Sequence, residues 1–127
     1  VLVVAGSWAE DIALRRGIYI CQNHRKFRPS RYLSFYNNSR LQYLFEIDGG
    51  PRDDVDVSKE PEFAAFFEEL NPQHGLRRLF RVKKLSEVGP IVNDSTDRNG
   101  NSCPFTYGQP RYTTLERFSA AKRTSEL

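Results

Sequence analysis

Hydrophobic and polar positions fall into short blocks along this chain, and each block predicts an element. Val1–Ala5 (VLVVA) is a continuous, largely β-branched run of the length of one buried strand. Gly6 breaks it. Ser7-Trp8-Ala9-Glu10 then has capping-box spacing, in which the serine hydroxyl takes the amide three residues on and the glutamate reaches back. The helix it opens runs to about Arg16, with Arg15 and Arg16 at its negative end and Gly17 as the stop. Ile18–Cys21 (IYIC) predicts a second strand, and Asn23–Ser30 a basic loop. Tyr32–Tyr36 and Leu41–Asp48 read as strands flanking Asn37-Asn38-Ser39-Arg40, whose asparagines tolerate the positive φ of a tight hairpin. On the second of them Leu41, Tyr43, Phe45 and Ile47 share one face, with Gln42, Glu46 and Asp48 on the other.

Gly49–Lys59 reads as a charged loop. After Pro61, residues Phe63, Phe66, Phe67 and Leu70 fall at i, i+3, i+4 and i+7, an amphipathic helix over about 61–70 that Asn71-Pro72 ends. A cofactor-binding aromatic box has the same spacing, but such a stripe is far more often core, and we read it so. Leu79–Leu85 is a further strand and Pro90-Ile91-Val92 a short edge piece. Asn93–Cys103 offers nothing to pack and reads as a mobile loop. Phe105–Tyr112 is aromatic but interrupted by Gly108 and Pro110. Thr113-Thr114-Leu115-Glu116 repeats the capping box and opens a helix through about Ala121. There are no internal repeats. The order β-α-β-β-β-α-β-β-α does not interleave helices regularly with strands. That argues for an α+β chain with a curled, mostly antiparallel sheet, not a doubly wound one.

Composition makes this one domain spanning 1–127, with sixteen aromatic residues and 39% hydrophobic residues arguing against disorder. No apolar run approaches a membrane span, and the start lacks the basic region of a signal peptide. Cys21 and Cys103 are too few for a disulfide framework or a four-cysteine zinc site, so a reduced, cytoplasmic setting is expected. Val1 at the start and no Met anywhere lead us to expect a piece of a larger protein. The net charge of +3 hides segregation: residues 1–40 balance at +5, 41–75 at −7 and 76–127 at +5. A basic face suits a polyanionic partner, although solvated charge is the commoner explanation.

Catalytic motifs are missing: no G-x-S-x-G, Walker loop or H-E-x-x-H. His24 and His74 sit in expected loops, as an acid–base pair of the ribonuclease kind or as plain surface histidines. Asp53, Asp54 and Asp56 offer oxygen ligands to a cation but lack the glycine and distal glutamate of a calcium loop, so a solvated acidic loop is the plainer reading. Cys21 reads as buried and inert. Binding signals are stronger. Arg25, Lys26, Arg28 and Arg31 surround Phe27, a pattern able to neutralise phosphates and offer stacking planes, and Arg77, Arg78, Arg81, Lys83 and Lys84 share the sign. Trp8, the only tryptophan, reads either as a packing lid or as one wall of a base-stacking pocket.

Together these residues resemble the PUA-like superfamily, especially its EVE and YTH-type branches. LVVAGSWAEDIALRRGIYIC is similar to the YTH pattern of strand, serine-and-aromatic turn, acidic helix start, and a strand ending in an aromatic residue and cysteine. RYLSFY, a polar turn and LQYLFEI resemble the superfamily's central hairpin. RYTTLERFSAAKRTSEL resembles a C-terminal segment recurrent in bacterial members. The resemblance implies a compact, curled antiparallel β-barrel, here of about five or six strands with about three short flanking helices. Such barrels read a modified base, flipped or single-stranded, in an aromatic cage. By resemblance, Asp11 matches the acid that hydrogen-bonds the base edge. Cys21 matches the residue whose backbone contacts the modified amino group, and Ser7 and Trp8 match the pocket-lining turn. One departure is plain: Ile20 stands where the family has a cage tryptophan. Strand alternation puts Tyr19 and Cys21 together and Ile20 opposite, so the expected cage is Trp8 with Tyr19, or with Tyr32 or Tyr36. Asp11 reads equally as a first-turn acid that favours the helix dipole.

The expected function is a nucleic-acid reader that recognises a methylated adenine or cytosine in DNA or RNA. It is not an enzyme and calls for no cofactor, metal or membrane. Arg25, Lys26, Arg28, Arg31, Arg77 and Arg78 would hold the nucleic-acid backbone. The resemblance implies a prokaryotic targeting domain of a restriction or antiviral defence system, beside a nuclease or NTPase partner. One alternative is a PUA-like protein-interaction or structural domain with a vestigial pocket. The other is a small ribonuclease that depends on His24 and His74.

Overall fold

One long strand organises the sheet. In a computed structural model that describes residues 1–57 and 76–127, β1 (Leu2–Ala5) leads into α1 (Trp8–Arg16) and β2 (Ile18–Gln22). Strands β3 (Tyr32–Asn37) and β4 (Arg40–Ile47) form a hairpin, followed by β5 (Arg52–Asp56). The 17-residue β6 (Leu76–Val92), β7 (Arg111–Tyr112), α2 (Leu115–Ala120) and a 3-10 turn at Thr124–Glu126 complete the order. Six strands follow the path β2-β6-β4-β3-β1-β7, and β5 joins beside β6. The first part of β6 lies between β2 and β5, and the rest pairs with β4. Strand twist accumulates along so long a strand, and the sheet curls strongly into a half-barrel. Only β1 and β3 pair in parallel among the described strands. No described helix is long and apolar enough to cross a membrane.

Burial on both faces explains the unbroken apolar run of β1. Leu2 and Val4 join Leu33, Phe35, Phe45 and Phe80 in one cluster, whereas Val3 joins Leu41, Leu44, Ile91 and Phe118 in another. In β2, Tyr19 and Cys21 face the first cluster, and Ile18 and Ile20 face a further one with Ile12, Val55 and Leu79. The alternation expected there holds. Asn38 and Ser39 at the β3–β4 turn take positive φ of 52° and 60°, as a tight hairpin requires.

Several expectations need correction. Ser7 occupies the N-cap of α1 but makes no capping hydrogen bond from its side chain. Glu10 turns inward instead, and its Oε1 accepts from Asn37 Nδ2 at 3.1 Å. Burial raises its pKa. In α2 the cap falls one residue later than the expected box: Thr114 Oγ1 accepts from the Arg117 amide at 3.1 Å. The charged loop over 49–59 contains β5, whose Val55, with Val57 just beyond it, buries against Ile18 and Leu79. Along β4, Leu41 packs in a different cluster from Tyr43, Phe45 and Ile47. The β4–β6 register shifts between Leu41 and Tyr43, so the face changes there. The two pieces expected at 79–85 and 90–92 are one strand, with Pro90 tolerated where the register slips. The loop expected to be mobile at 93–103 is tied by its polar groups. Asp97 Oδ1 accepts from the Asn99 and Asn101 amides, and Asp94 accepts from Thr124 and Ser125 of the tail. The helix expected at about 61–70, its phenylalanines, and His74 lie outside the described residues.

Candidate nucleic-acid interface

The turn between β1 and α1 is held close to β3 because Gly6 has no side chain. A Cβ at Gly6 would lie 2.6 Å from Phe35 Cδ1, and the Gly6 amide donates to the Tyr36 carbonyl at 3.0 Å. This close approach leaves a cleft of about 460 Å³ beside the turn. Ala5–Ala9, Tyr19–Gln22, Tyr36–Asn38, Arg25 and Arg77 line it.

Five of the seven residues expected in a base pocket meet here: Ser7, Trp8, Tyr19, Cys21 and Tyr36. They do not all offer the same thing. Trp8 is 40% exposed, enough indole for a ligand to stack on. Tyr19 is only 3% exposed. Its ring stacks on Phe80 at 5.9 Å between centroids and meets Phe35 edge-on at 5.3 Å, so it belongs to the core beneath the cleft. Burial pushes its phenol above the ordinary value. The Cys21 thiol is pushed up to about 11, by burial first, and stays protonated at neutral pH. Tyr36 is half-buried against the cluster of Val3 and Phe118.

Asp11 and Tyr32 are not among the residues that line the cleft. Asp11 pairs with Arg15 at 3.2 Å along α1. Tyr32 packs on the far cluster, with the Arg31 guanidinium 5.4 Å from its ring centroid. Sequence reasoning missed Gln22, Asn37 and Asn38 as lining residues. The asparagines signalled a turn, which they make, and nothing local showed that the turn borders a cleft.

The expected backbone-binding cations separate into groups. Arg25 and Arg77 line the cleft, the Arg25 guanidinium lying 4.9 Å from the Phe27 centroid. Arg78 does not: its Nε and Nη2 hold both carboxylate oxygens of Asp53 at 2.6 and 2.9 Å, and its Nη1 donates to the Arg25 carbonyl. It is a clamp on the basic loop. Arg28 lies over the Tyr112 ring at 3.9 Å, and Arg31 pairs with Glu46 at 3.1 Å. Lys26 is exposed.

The acidic strand β5 supplies the other half of the clamp. Asn23 and Asp54 exchange hydrogen bonds of 2.9 Å, and His24 Nε2 lies 3.0 Å from Asp54 Oδ1. Two of the three aspartates read as cation ligands or solvated charge, Asp53 and Asp54, are therefore engaged in tying β5 to the loop after β2. Among the described residues no three His, Cys, Asp or Glu side chains gather as a metal site.

Hydrogen bonding from Arg78 holds the Asp53 carboxyl below its ordinary pKa. A carboxylate shifted down stabilises the fold above its unfolded pKa, about 3.9, and that contribution fades as pH falls through the lower folded value. The melting-temperature gap between the protein and Asp53→Asn should thus be constant near neutrality and close below about pH 4. A gap that persists unchanged in acid would show that the pair does not carry this stability. Compared with protein-family models, curated proteins and solved structures, the chain matches none.

Proposed function

We propose that the chain is a PUA-like reader module that takes a modified base of DNA or RNA into the cleft beside Trp8. The observation that carries this reading is convergence: an exposed indole, amide side chains and two guanidiniums border one open cleft. A base needs a stacking surface, a polar partner for its edge and cations for the flanking phosphates. The three kinds of group meet here. The strand–turn–helix–strand order and the strongly curled sheet support the PUA-like assignment.

Edge recognition falls to Asn37 in this reading, since Asp11 is engaged by Arg15. Asn37 Nδ2 is bonded to Glu10, which leaves its carbonyl oxygen for the cleft. An acceptor there suits the amino group of adenine or cytosine, which keeps one N–H after a single methylation. Beside a nuclease or NTPase, such a module would act as the targeting domain.

The salt dependence of oligonucleotide binding tests the cation assignment. Arg25→Ala with Arg77→Ala should weaken modified and unmodified single strands alike and reduce the salt slope by about 0.7 per lost phosphate contact. An unchanged slope would remove these arginines from the interface.

A further inference from the structure

One carboxyl beside the cleft is buried without a full set of partners. Glu10 lies in the first turn of α1 and is only 8% exposed. Its Oε1 accepts from Asn37 Nδ2 at 3.1 Å, while its Oε2 is buried with no hydrogen-bond partner among the described residues. The other buried residues of α1, Ala9, Ile12 and Ala13, are apolar. An ionised carboxyl buried with one oxygen unpaired costs more than a neutral amide of the same reach would. What distinguishes the acid from that amide is that it can take up a proton.

Burial raises the Glu10 pKa against two opposing influences, the Asn37 hydrogen bond and the charge of Arg40. Arg40 opens β4 and stands opposite Asn37 in the hairpin register. Among the described residues, the other titratable groups on the surrounding elements are paired, neutral or elsewhere. Asp11 and Arg15 pair with each other along the helix, and burial keeps Tyr19 and Cys21 of β2 neutral at neutral pH. Tyr36 of β3 packs against the cluster of Val3 and Phe118. Strand β6 meets α1 at its far end, where the Val82 amide bonds Gly17 near Arg16 and Arg81.

We propose that Glu10 sets which atom of the Asn37 amide faces the cleft, and so which kind of base edge the cleft reads. It is a positioning residue, acting through Asn37. Asn37 lines the cleft and carries an acceptor and two donors on one amide. With Glu10 ionised, Nδ2 is drawn to the carboxylate, and Oδ1 is left to accept from the amino group of adenine or cytosine. With Glu10 protonated, its O–H needs an acceptor, and Asn37 is the partner already at Oε1. The amide turns over, accepts that hydrogen bond at Oδ1 and presents Nδ2. A donor there suits a carbonyl oxygen, such as that of guanine or thymine. The selection between bases rests on the reader function proposed for the cleft; the turnover of the amide does not.

An NMR titration of the full chain tests the turnover without a ligand. The Glu10 carboxyl should titrate with a midpoint above the ordinary value of about 4.3. The Asn37 side-chain amide protons should move from a hydrogen-bonded to a solvent-exposed chemical shift with the same midpoint. An Asn37 amide that ignores the Glu10 titration overturns the proposal, whatever the cleft binds. Binding then reads the selection, using single strands identical except for one adenine or hypoxanthine, which exchanges the amino group for a carbonyl. Preference for adenine should fall by about tenfold or more as pH drops through that midpoint. Glu10→Gln keeps the size of the side chain and cannot titrate, so its preference should stay the same at every pH. A preference that changes equally in both proteins, or in neither, overturns the role of Glu10. Binding of neither strand, with the two NMR midpoints still shared, contradicts the reader function and leaves the turnover supported.

Discussion

Phe35→Ala is expected to destabilise the fold by about 3–5 kcal/mol, the largest stability effect we foresee from a single substitution. The ring is fully buried, with Tyr19 and Phe45 edge-on at 5.3 and 5.5 Å between centroids. Its loss would leave a cavity bordered by rigid aromatic neighbours that cannot collapse into it. The effect reaches the cleft as well, because Gly6 rests on this ring and fixes the turn that carries Trp8. Urea unfolding at neutral pH measures it. A cost below about 1 kcal/mol would mean that the ring does not lie at the centre of the core.

Much of the fold is legible in local pattern, and its failures share a cause. Runs such as VLVVA and IYIC announce strands because burial on both faces demands apolar residues at every position. Gly17 ends α1 with the left-handed conformation expected of it. Around β5 the same kind of signal is hidden: Val55 and Val57 alternate among aspartates, of which Asp53 and Asp54 find their partners, Arg78 and Asn23, far away in sequence. Only tertiary pairing turns that acidic stretch into a strand. The face change in β4 is equally invisible, since it depends on register with β6, which lies far along the chain.

The site follows the same division. Ser7 and Trp8 follow β1, Tyr36 stands near the end of its parallel neighbour β3, and β2 packs Tyr19 and Cys21 into the cluster that β1 and β3 share. Whether each presents its ring to solvent is not a local property. Tyr19 gives its face to Phe80, and Arg78 gives its charge to Asp53. Asp11 finds Arg15 one turn along the helix, a partner available from spacing alone.

Trp8→Ala carries the largest expected functional effect. Stacking on one aromatic wall is worth about 1–3 kcal/mol per base, roughly a tenfold to hundredfold loss of affinity. With Tyr19 committed to the core, no other wall in the cleft is exposed to the same degree among the described residues. The variant should therefore lose its preference for a modified base and keep the weak, salt-sensitive binding that Arg25 and Arg77 supply. A lower melting temperature with the preference intact would make the indole a packing lid.

The most direct measurement is a binding panel of otherwise identical oligonucleotides carrying N6-methyladenine, 5-methylcytosine, 5-hydroxymethylcytosine or no modification. Trp8 fluorescence is the readout, since this is the chain's only tryptophan and it borders the cleft. A methyl group filling a dry space is worth about 0.8 kcal/mol, and more where packing is tight, so one modified strand should bind at least about fourfold more tightly than its unmodified twin. Equal affinities across the panel, with no change in indole emission on binding, would contradict the reader function.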